Sequence, residues 1–168
     1  MVWEYFDDYK ILRKGQPYKE IARGEQTTCG DIDIEVLYPD PHPDPEDKLN
    51  NTSLAMMISF GNFRLLHMGD VAGEGAQRFL RSARYINADI IKIAHHGAVD
   101  SASEELLKQV SPDLALISTA TDNRIGSAAT EVLARLDKLA ISYLRTDRHG
   151  DIEMHVNQEG YRVTSLKR

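Results

Sequence analysis

Cysteine is nearly absent from this chain of 168 residues, with Cys29 as its single example. A disulfide within the chain and a cysteine-rich zinc site are therefore excluded. No apolar run approaches the ~18 residues of a membrane span. The N-terminal segment Met1–Asp8 lacks the basic start and the apolar stretch of a signal peptide. The chain as given is therefore predicted to be soluble, and its cellular location is unknown from sequence.

A surplus of positive charge is also missing. The chain has 20 Lys plus Arg against 26 Asp plus Glu, for a formal net charge of −6. This balance argues against a domain that holds nucleic acid mainly through a broad basic surface. A small active site that acts on phosphates stays open. With 42% hydrophobic residues, the chain has enough apolar material for the core of one domain.

Proline is scarce outside one segment. Four of the six prolines lie between Pro39 and Asp47, which predicts an exposed, extended loop there. On either side of this loop, the hydrophobic periodicity predicts strands first, then strand–helix units, and then a terminal hairpin. The pair Gly61-Asn62 suits a two-residue turn between antiparallel strands. Strands are predicted at 32–36, 53–60, 63–68, 89–94, 114–118, 141–144, 152–156 and 161–166, and helices at 77–84, 101–111 and 130–138.

Polar residues follow several of the predicted strands directly. Gly69-Asp70 follows one strand and His95-His96-Gly97 the next, while residues 119–127 and 145–147 follow two later strands. Because ligands collect beyond the carboxyl ends of parallel strands, these four loops are expected to crowd one edge of the sheet. Carboxylate and imidazole groups are ligands for zinc or manganese. Asp70, His95 and His96 are therefore candidate metal ligands. A turn or helix cap is the alternative for Asp70, and packing, orientation or proton transfer is the alternative for one of the two histidines. Arg145 and Asp147 are interpreted as a loop ion pair.

Several ordered motifs carry a family resemblance. The segments Asn50-Asn51-Thr52-Ser53-Leu54, Leu65-Leu66-His67-Met68-Gly69-Asp70 and Ala88–Ala98 resemble the metallo-β-lactamase domain of the ComEC competence proteins and their soluble relatives. Segments 111–113, 122–126 and 145–150 follow in that family's order. The resemblance runs from about Ile21 to Val163. It implies an α/β fold of metallo-β-lactamase type, an αββα sandwich of two sheets between helix layers. The resemblance also implies a two-metal site between the sheets and hydrolysis of phosphoester or related bonds.

The resemblance also implies roles for single residues. Asp70 would bridge two metal ions, and His95 or His96 would complete one metal's shell, while the other histidine serves as an acid or orients a phosphate oxygen. Asn51 and Asn123 are expected on the substrate side. The implied cofactor is a divalent metal, zinc or manganese, at two ions per complete domain.

Two departures from the family pattern stand out. The family carries a His-x-His-x-Asp-His motif in the first half of its domain, and this sequence contains no such spacing. Residues 1–168 are therefore expected to be a single domain that corresponds to the C-terminal half only, with metal depleted in this chain alone. In addition, Ser127 stands where the family commonly has His, and Ala98 stands where Ser often follows His-His-Gly.

Three functions stay open at this stage. The first is a hydrolase of phosphodiesters or DNA, related to competence DNA uptake, whose remaining ligands lie elsewhere. The second is a non-catalytic binding or regulatory remnant of the same fold, and the third is an unrelated small α/β domain. The expected partners are DNA or a phosphoester substrate, and either the missing N-terminal half or a second copy, which would make a complete chain a homo-oligomer. A ComEC protein would place the domain on the extracytoplasmic face.

Overall fold

The architecture is known from a computed structural model that describes residues 21–42, 49–120 and 128–166. Seven of the nine strands in these ranges form one sheet, and the last two form a separate two-stranded sheet. None of the helices in these ranges is long and apolar enough to cross a membrane. The α/β class expected from the sequence is confirmed.

In the large sheet, each strand pairs with the strands that precede and follow it in the chain, so the spatial order is β1 to β7. The first four strands are antiparallel, and β4 to β7 are parallel. The predicted turn at Gly61-Asn62 joins β3 to β4, with Phe60 and Phe63 as partners. The strands are β1 Gln26–Cys29, β2 Ile32–Tyr38, β3 Ala55–Phe60, β4 Phe63–His67, β5 Ile90–Lys92, β6 Leu114–Ile117 and β7 Ser142–Arg145.

Three helices connect the parallel strands and pack on one face of the sheet, and a fourth, single-turn helix follows the last of these strands. They are α1 Gly73–Ser82, α2 Glu104–Val110, α3 Thr130–Lys138 and the single turn α4 Thr146–His149, besides the 3₁₀ segments Leu49–Thr52 and His95–Gly97. Phe79 of α1, Leu106 of α2 and Leu136 of α3 are fully buried in one cluster with Leu66 and Ile91 of the sheet. Burying such a side chain contributes about 2 kcal/mol. The helix layer therefore seals the face of the sheet that carries Leu66 and Ile91.

The helix α2 begins later than the capping box at Ser101 predicts. Its N-cap is Ser103, whose hydroxyl accepts a hydrogen bond from the Leu106 N–H at 3.1 Å. Ser101 is 1% exposed and lies before the helix. Ser103 thus caps the helix in place of Ser101, because Ser103 is exposed whereas packing buries Ser101.

The opposite face of the sheet is only partly covered. On this face, a row of partners on adjacent strands consists of Met56, His67, Lys92, Leu116 and Leu144. All five side chains are half-buried. The terminal hairpin, β8 Asp151–Asn157 and β9 Gly160–Leu166, reaches this face where the Tyr161 and Phe63 rings lie 5.2 Å apart. The predicted hairpin and its turn are confirmed.

Candidate functional site

The four loops predicted to share an edge are joined to each other by hydrogen bonds. The His95 N–H donates to the Gly69 carbonyl at 3.1 Å, which ties the loop after β5 to the loop after β4. His96 Nδ1 lies 2.8 Å from the Ser118 carbonyl after β6. The Thr119 N–H donates to Thr146 Oγ1 at 2.8 Å, which ties that loop to the one after β7. The carboxyl ends of β4 to β7 therefore form one continuous polar edge, as the sequence predicts.

Asp70 is placed by a tight turn that only glycine fits. Gly69 has a φ of +51°, and a Cβ there would stand 2.5 Å from the Leu54 carbonyl oxygen. The Asp70 N–H donates to Ser53 Oγ at 3.0 Å, so the turn is held by the segment that precedes β3. The half-buried Asp70 thus follows β4 on a backbone with little freedom.

His95 and His96 both adopt left-handed backbone conformations, with φ values of 45° and 55°. Such values are uncommon outside glycine and cost about 1–2 kcal/mol per residue. Both histidines lie in the 3₁₀ segment that follows β5. Since His96 Nδ1 faces a carbonyl that only accepts, Nδ1 carries the proton and Nε2 stays available as an acceptor or ligand.

Asn50 belongs to the Asn50-Asn51 motif of the family resemblance, and the structure places it beside His95. Its Nδ2 lies 3.2 Å from His95 Nε2, across 45 positions of sequence. Asn51, predicted on the substrate side, is 7% exposed, and its Oδ1 stands 2.8 Å from where a Cβ on Gly75 would be. Asn51 thus packs against the start of α1. Asn123 lies outside the described residues, and both substrate roles stay predictions.

Lys92 and His67 form a second pair of polar groups that sequence reasoning missed. They are register partners on β4 and β5, on the sheet face away from the helices. Burial lowers the pKa of Lys92, and the nearby Asp70 carboxylate acts in the opposite direction. Burial and then the Lys92 ammonium lower the pKa of His67. The Lys92 ammonium donates to the Ile93 carbonyl at 2.8 Å. A pattern search misses Lys92 because it stands inside an apolar run.

The predicted metal centre is incomplete in the part of the chain that the structure describes. Within residues 21–42, 49–120 and 128–166, no three His, Cys, Asp or Glu side chains form a group that could hold a metal ion. Catalytic zinc sites usually have three protein ligands. The donor types of Asp70, His95 and His96 suit zinc or manganese, but these residues do not fit a complete centre by themselves. Their roles as ligands stay a prediction.

Arg145 and Asp147 form the ion pair that the sequence indicated. Arg145 Nε donates to Asp147 Oδ1 at 2.9 Å and Nη2 lies 2.5 Å from Oδ2, a bidentate arrangement. The two side chains are 6% and 7% exposed. The arginine lowers the pKa of the Asp147 carboxyl through these hydrogen bonds. Each charge is satisfied by the other, so the pair fixes the loop after β7.

The chain is similar to two competence proteins. It is 35% identical to "ComE operon protein 3" of Bacillus subtilis (strain 168) over 150 residues, which cover 87% of this chain and 19% of that protein. It is 28% identical to "Competence protein ComA" of Neisseria gonorrhoeae over 158 residues, which cover 91% of this chain and 23% of that protein. The chain therefore spans about a fifth of the length of these relatives.

No protein-family model matches the chain. Among solved structures, a variant of the CmlA β-hydroxylase aligns with a TM-score of 0.49 and 13% sequence identity, over 88% of this chain and 34% of that one.

Proposed function

Because this chain belongs to the ComEC-type family of competence proteins, we propose that it forms part of a metal-dependent hydrolase of phosphodiester bonds. DNA taken up during competence is the proposed substrate. We further propose that residues 1–168 correspond to the C-terminal half of one metallo-β-lactamase-like domain. As in a ComEC protein, that domain would act on the extracytoplasmic face.

The hydrogen-bonded polar edge is the observation that carries this proposal. It brings the Asp70 turn and the His95-His96 segment together through the His95-to-Gly69 bond of 3.1 Å. Two consecutive left-handed histidines are costly, and such strain collects at functional sites. An edge that only stabilised the fold would have no need of imidazoles in this conformation.

The proposed cofactor is zinc or manganese, since proteins of the metallo-β-lactamase fold usually bind divalent metals. Asp70, His95 and His96 would supply part of the ligand set, with two ions in a complete domain. Asn51 and Asn123 are proposed on the substrate side. Asn50 would orient the His95 ring through its Nδ2 contact of 3.2 Å. The missing ligands would come from outside the described residues.

A non-catalytic binding or regulatory module is the second candidate. It is favoured by the lack, among the described residues, of three grouped metal ligands. The half-buried Ala98 after His-His-Gly also leaves the edge without a hydroxyl at that position. The two candidates differ in one measurable property, which is hydrolysis after the ligand set has been completed.

The test compares the chain alone with the chain joined to an N-terminal half that carries His-x-His-x-Asp-His. Metal content is measured by elemental analysis after dialysis, and activity with a chromogenic phosphodiester. We expect little metal and negligible hydrolysis in the chain alone, and both to rise in the joined form. Asp70→Asn should abolish the gain, whereas Asp137→Asn on the exposed surface of α3 should leave it intact. A joined form that stays metal-free and inactive supports the binding module instead.

A further inference from the structure

A group of arginines and one tyrosine, all exposed except the half-buried Arg64, lies at the other end of the large sheet. We call this group the arginine–tyrosine patch; it consists of Arg64, Arg81, Arg84 and Tyr85. Arg64 is near the start of β4, and Tyr85 precedes β5, whereas Asp70 and His95 follow the ends of these strands. A five-residue strand spans about 16 Å. The patch is therefore separate from the polar edge.

Tyr85 is the most unusual residue of the patch. Its side chain is 85% exposed, and its φ of 60° is left-handed. The Arg64 guanidinium donates to the Tyr85 carbonyl at 2.7 Å and holds the turn in place. An exposed aromatic ring gains no packing energy, and the left-handed backbone costs about 1–2 kcal/mol. Folding alone therefore gives no reason for a tyrosine at this position.

The turn that carries Tyr85 is anchored on both sides. Phe79 is fully buried before it and Ile86 is 1% exposed after it. The Ala83 N–H donates to the Phe79 carbonyl at 2.8 Å, which ends α1. Arg81 and Arg84 are both exposed between these anchors. The patch is thus a preformed surface that keeps its side chains in solvent.

The local charge of the patch is opposite to that of the whole chain. Between Glu74 and Asp89 there is no acidic residue, although the whole chain carries a net charge of −6. The Asp89 carboxylate accepts a hydrogen bond from the Arg64 N–H at 2.7 Å. Positive charge beside an exposed ring is the arrangement that binds a single nucleic acid strand, in which arginines contact phosphates and an aromatic ring stacks on a base.

We propose that the arginine–tyrosine patch binds single-stranded nucleic acid, with Arg81 and Arg84 on phosphates and Tyr85 stacked on a base. The patch would hold a strand away from the polar edge and would not take part in bond cleavage. This proposal and the proposed hydrolase have only the class of ligand in common, which is nucleic acid. Its test is a binding measurement, so the two proposals can fail separately.

The experiment measures fluorescence anisotropy of a labelled oligothymidylate of roughly 20 nucleotides with the full chain. At low salt we expect a Kd of about 1–100 μM. Tyr85→Ala should weaken binding on the order of tenfold, while Tyr85→Phe retains it, because stacking needs the ring and not the hydroxyl. Arg81→Ala/Arg84→Ala should lower the slope of log K against log salt by about 1.4, which is two phosphate contacts.

The matched control is Lys108→Ala/Lys138→Ala, which removes the same charge from exposed sites on α2 and α3. It should change affinity less than about twofold, since no aromatic residue stands within four positions of either lysine. Urea unfolding of every variant verifies the fold. An equal loss in the control would overturn the proposal, as would a chain that does not bind the oligonucleotide. Binding to anionic lipid vesicles without oligonucleotide binding would assign the patch to a membrane and also overturn it.

Discussion

At the scale of single residues, the Arg145–Asp147 pair gives the clearest expectation. Asp147→Asn leaves the 5% exposed Arg145 without its counter-charge, and breaking a buried pair in this way costs roughly 3–5 kcal/mol. Urea unfolding at neutral pH measures the loss. Glu104→Gln, at a solvent-exposed ion pair on α2, is the control and should have little effect.

The same pair predicts a pH dependence. Arg145 lowers the folded-state pKa of Asp147, so the stabilisation is present above the ordinary pKa of about 3.9 and is lost as pH falls through the lower folded value. Wild-type stability should therefore fall more steeply than that of Asp147→Asn between about pH 4 and pH 2. Parallel curves for the two proteins would contradict the assignment.

Lys92 should lower the stability of the fold. Burial lowers its pKa, so the folded state binds this proton less tightly than the unfolded chain does. The protonated side chain therefore costs free energy at neutral pH, and the cost disappears only as pH rises towards 10.5. Lys92→Met should raise the free energy of unfolding by on the order of 1 kcal/mol at pH 7. Lys138→Met, with a side chain 65% exposed, should give no such gain. Destabilisation by Lys92→Met would show that attraction to Asp70 exceeds the burial cost.

The candidate site was only partly predictable from residue patterns. Asp70, His95 and His96 are visible in sequence because they follow apolar strands and carry metal-ligand chemistry. Asn50 is visible in the Asn50-Asn51 motif, but its contact with His95 is not, because that contact depends on how a 3₁₀ segment 45 positions away packs against the edge. Lys92 was missed because its face of the sheet is known only from its register with His67.

At the scale of elements, two glycines separate the effect of backbone conformation from that of close contact. Gly69 and Gly61 have similar φ values, +51° and +56°, but a Cβ on Gly69 meets the Leu54 carbonyl while one on Gly61 meets nothing within 4 Å. Gly61→Ala should cost about 1–2 kcal/mol. Gly69→Ala should cost roughly 3 kcal/mol or more, since the backbone must also shift. Thermal unfolding of both variants checks this, and equal losses would show that the contact is unimportant.

Element positions were more predictable than element boundaries. The sequence places α3 at Thr130–Lys138, as observed, because its apolar spacing is regular. It misses the first turn of α1, which begins at Gly73 rather than Gln77. Gly75 lowers helix propensity, yet the close approach of Asn51 requires a residue without a side chain there. The packing of Asn51 against Gly75, which no local sequence pattern reveals, thus places the start of α1 before its predicted position.

At the scale of the whole molecule, the terminal hairpin forms a sheet of its own and should open independently. Its ring contact with the large sheet is Tyr161 against Phe63. Hydrogen exchange measured by mass spectrometry should be faster in 151–166 than in the buried strands β4 to β6. Tyr161→Ala should speed exchange in the hairpin and leave β4 to β6 unchanged. Faster exchange throughout would mean that hairpin and sheet unfold as one unit.

The order of the large sheet has a consequence for how the protein is made. Since every strand from β1 to β7 pairs with the strand that precedes it in the chain, each new strand leaving the ribosome finds its neighbour already synthesised. Pairing between chain neighbours keeps the closed loops short and their entropic cost low. The sheet can therefore grow vectorially from the N-terminal side during translation, without waiting for a distant segment. The polar edge, whose loops follow β4 to β7, is completed in the same order and last of all at Thr146.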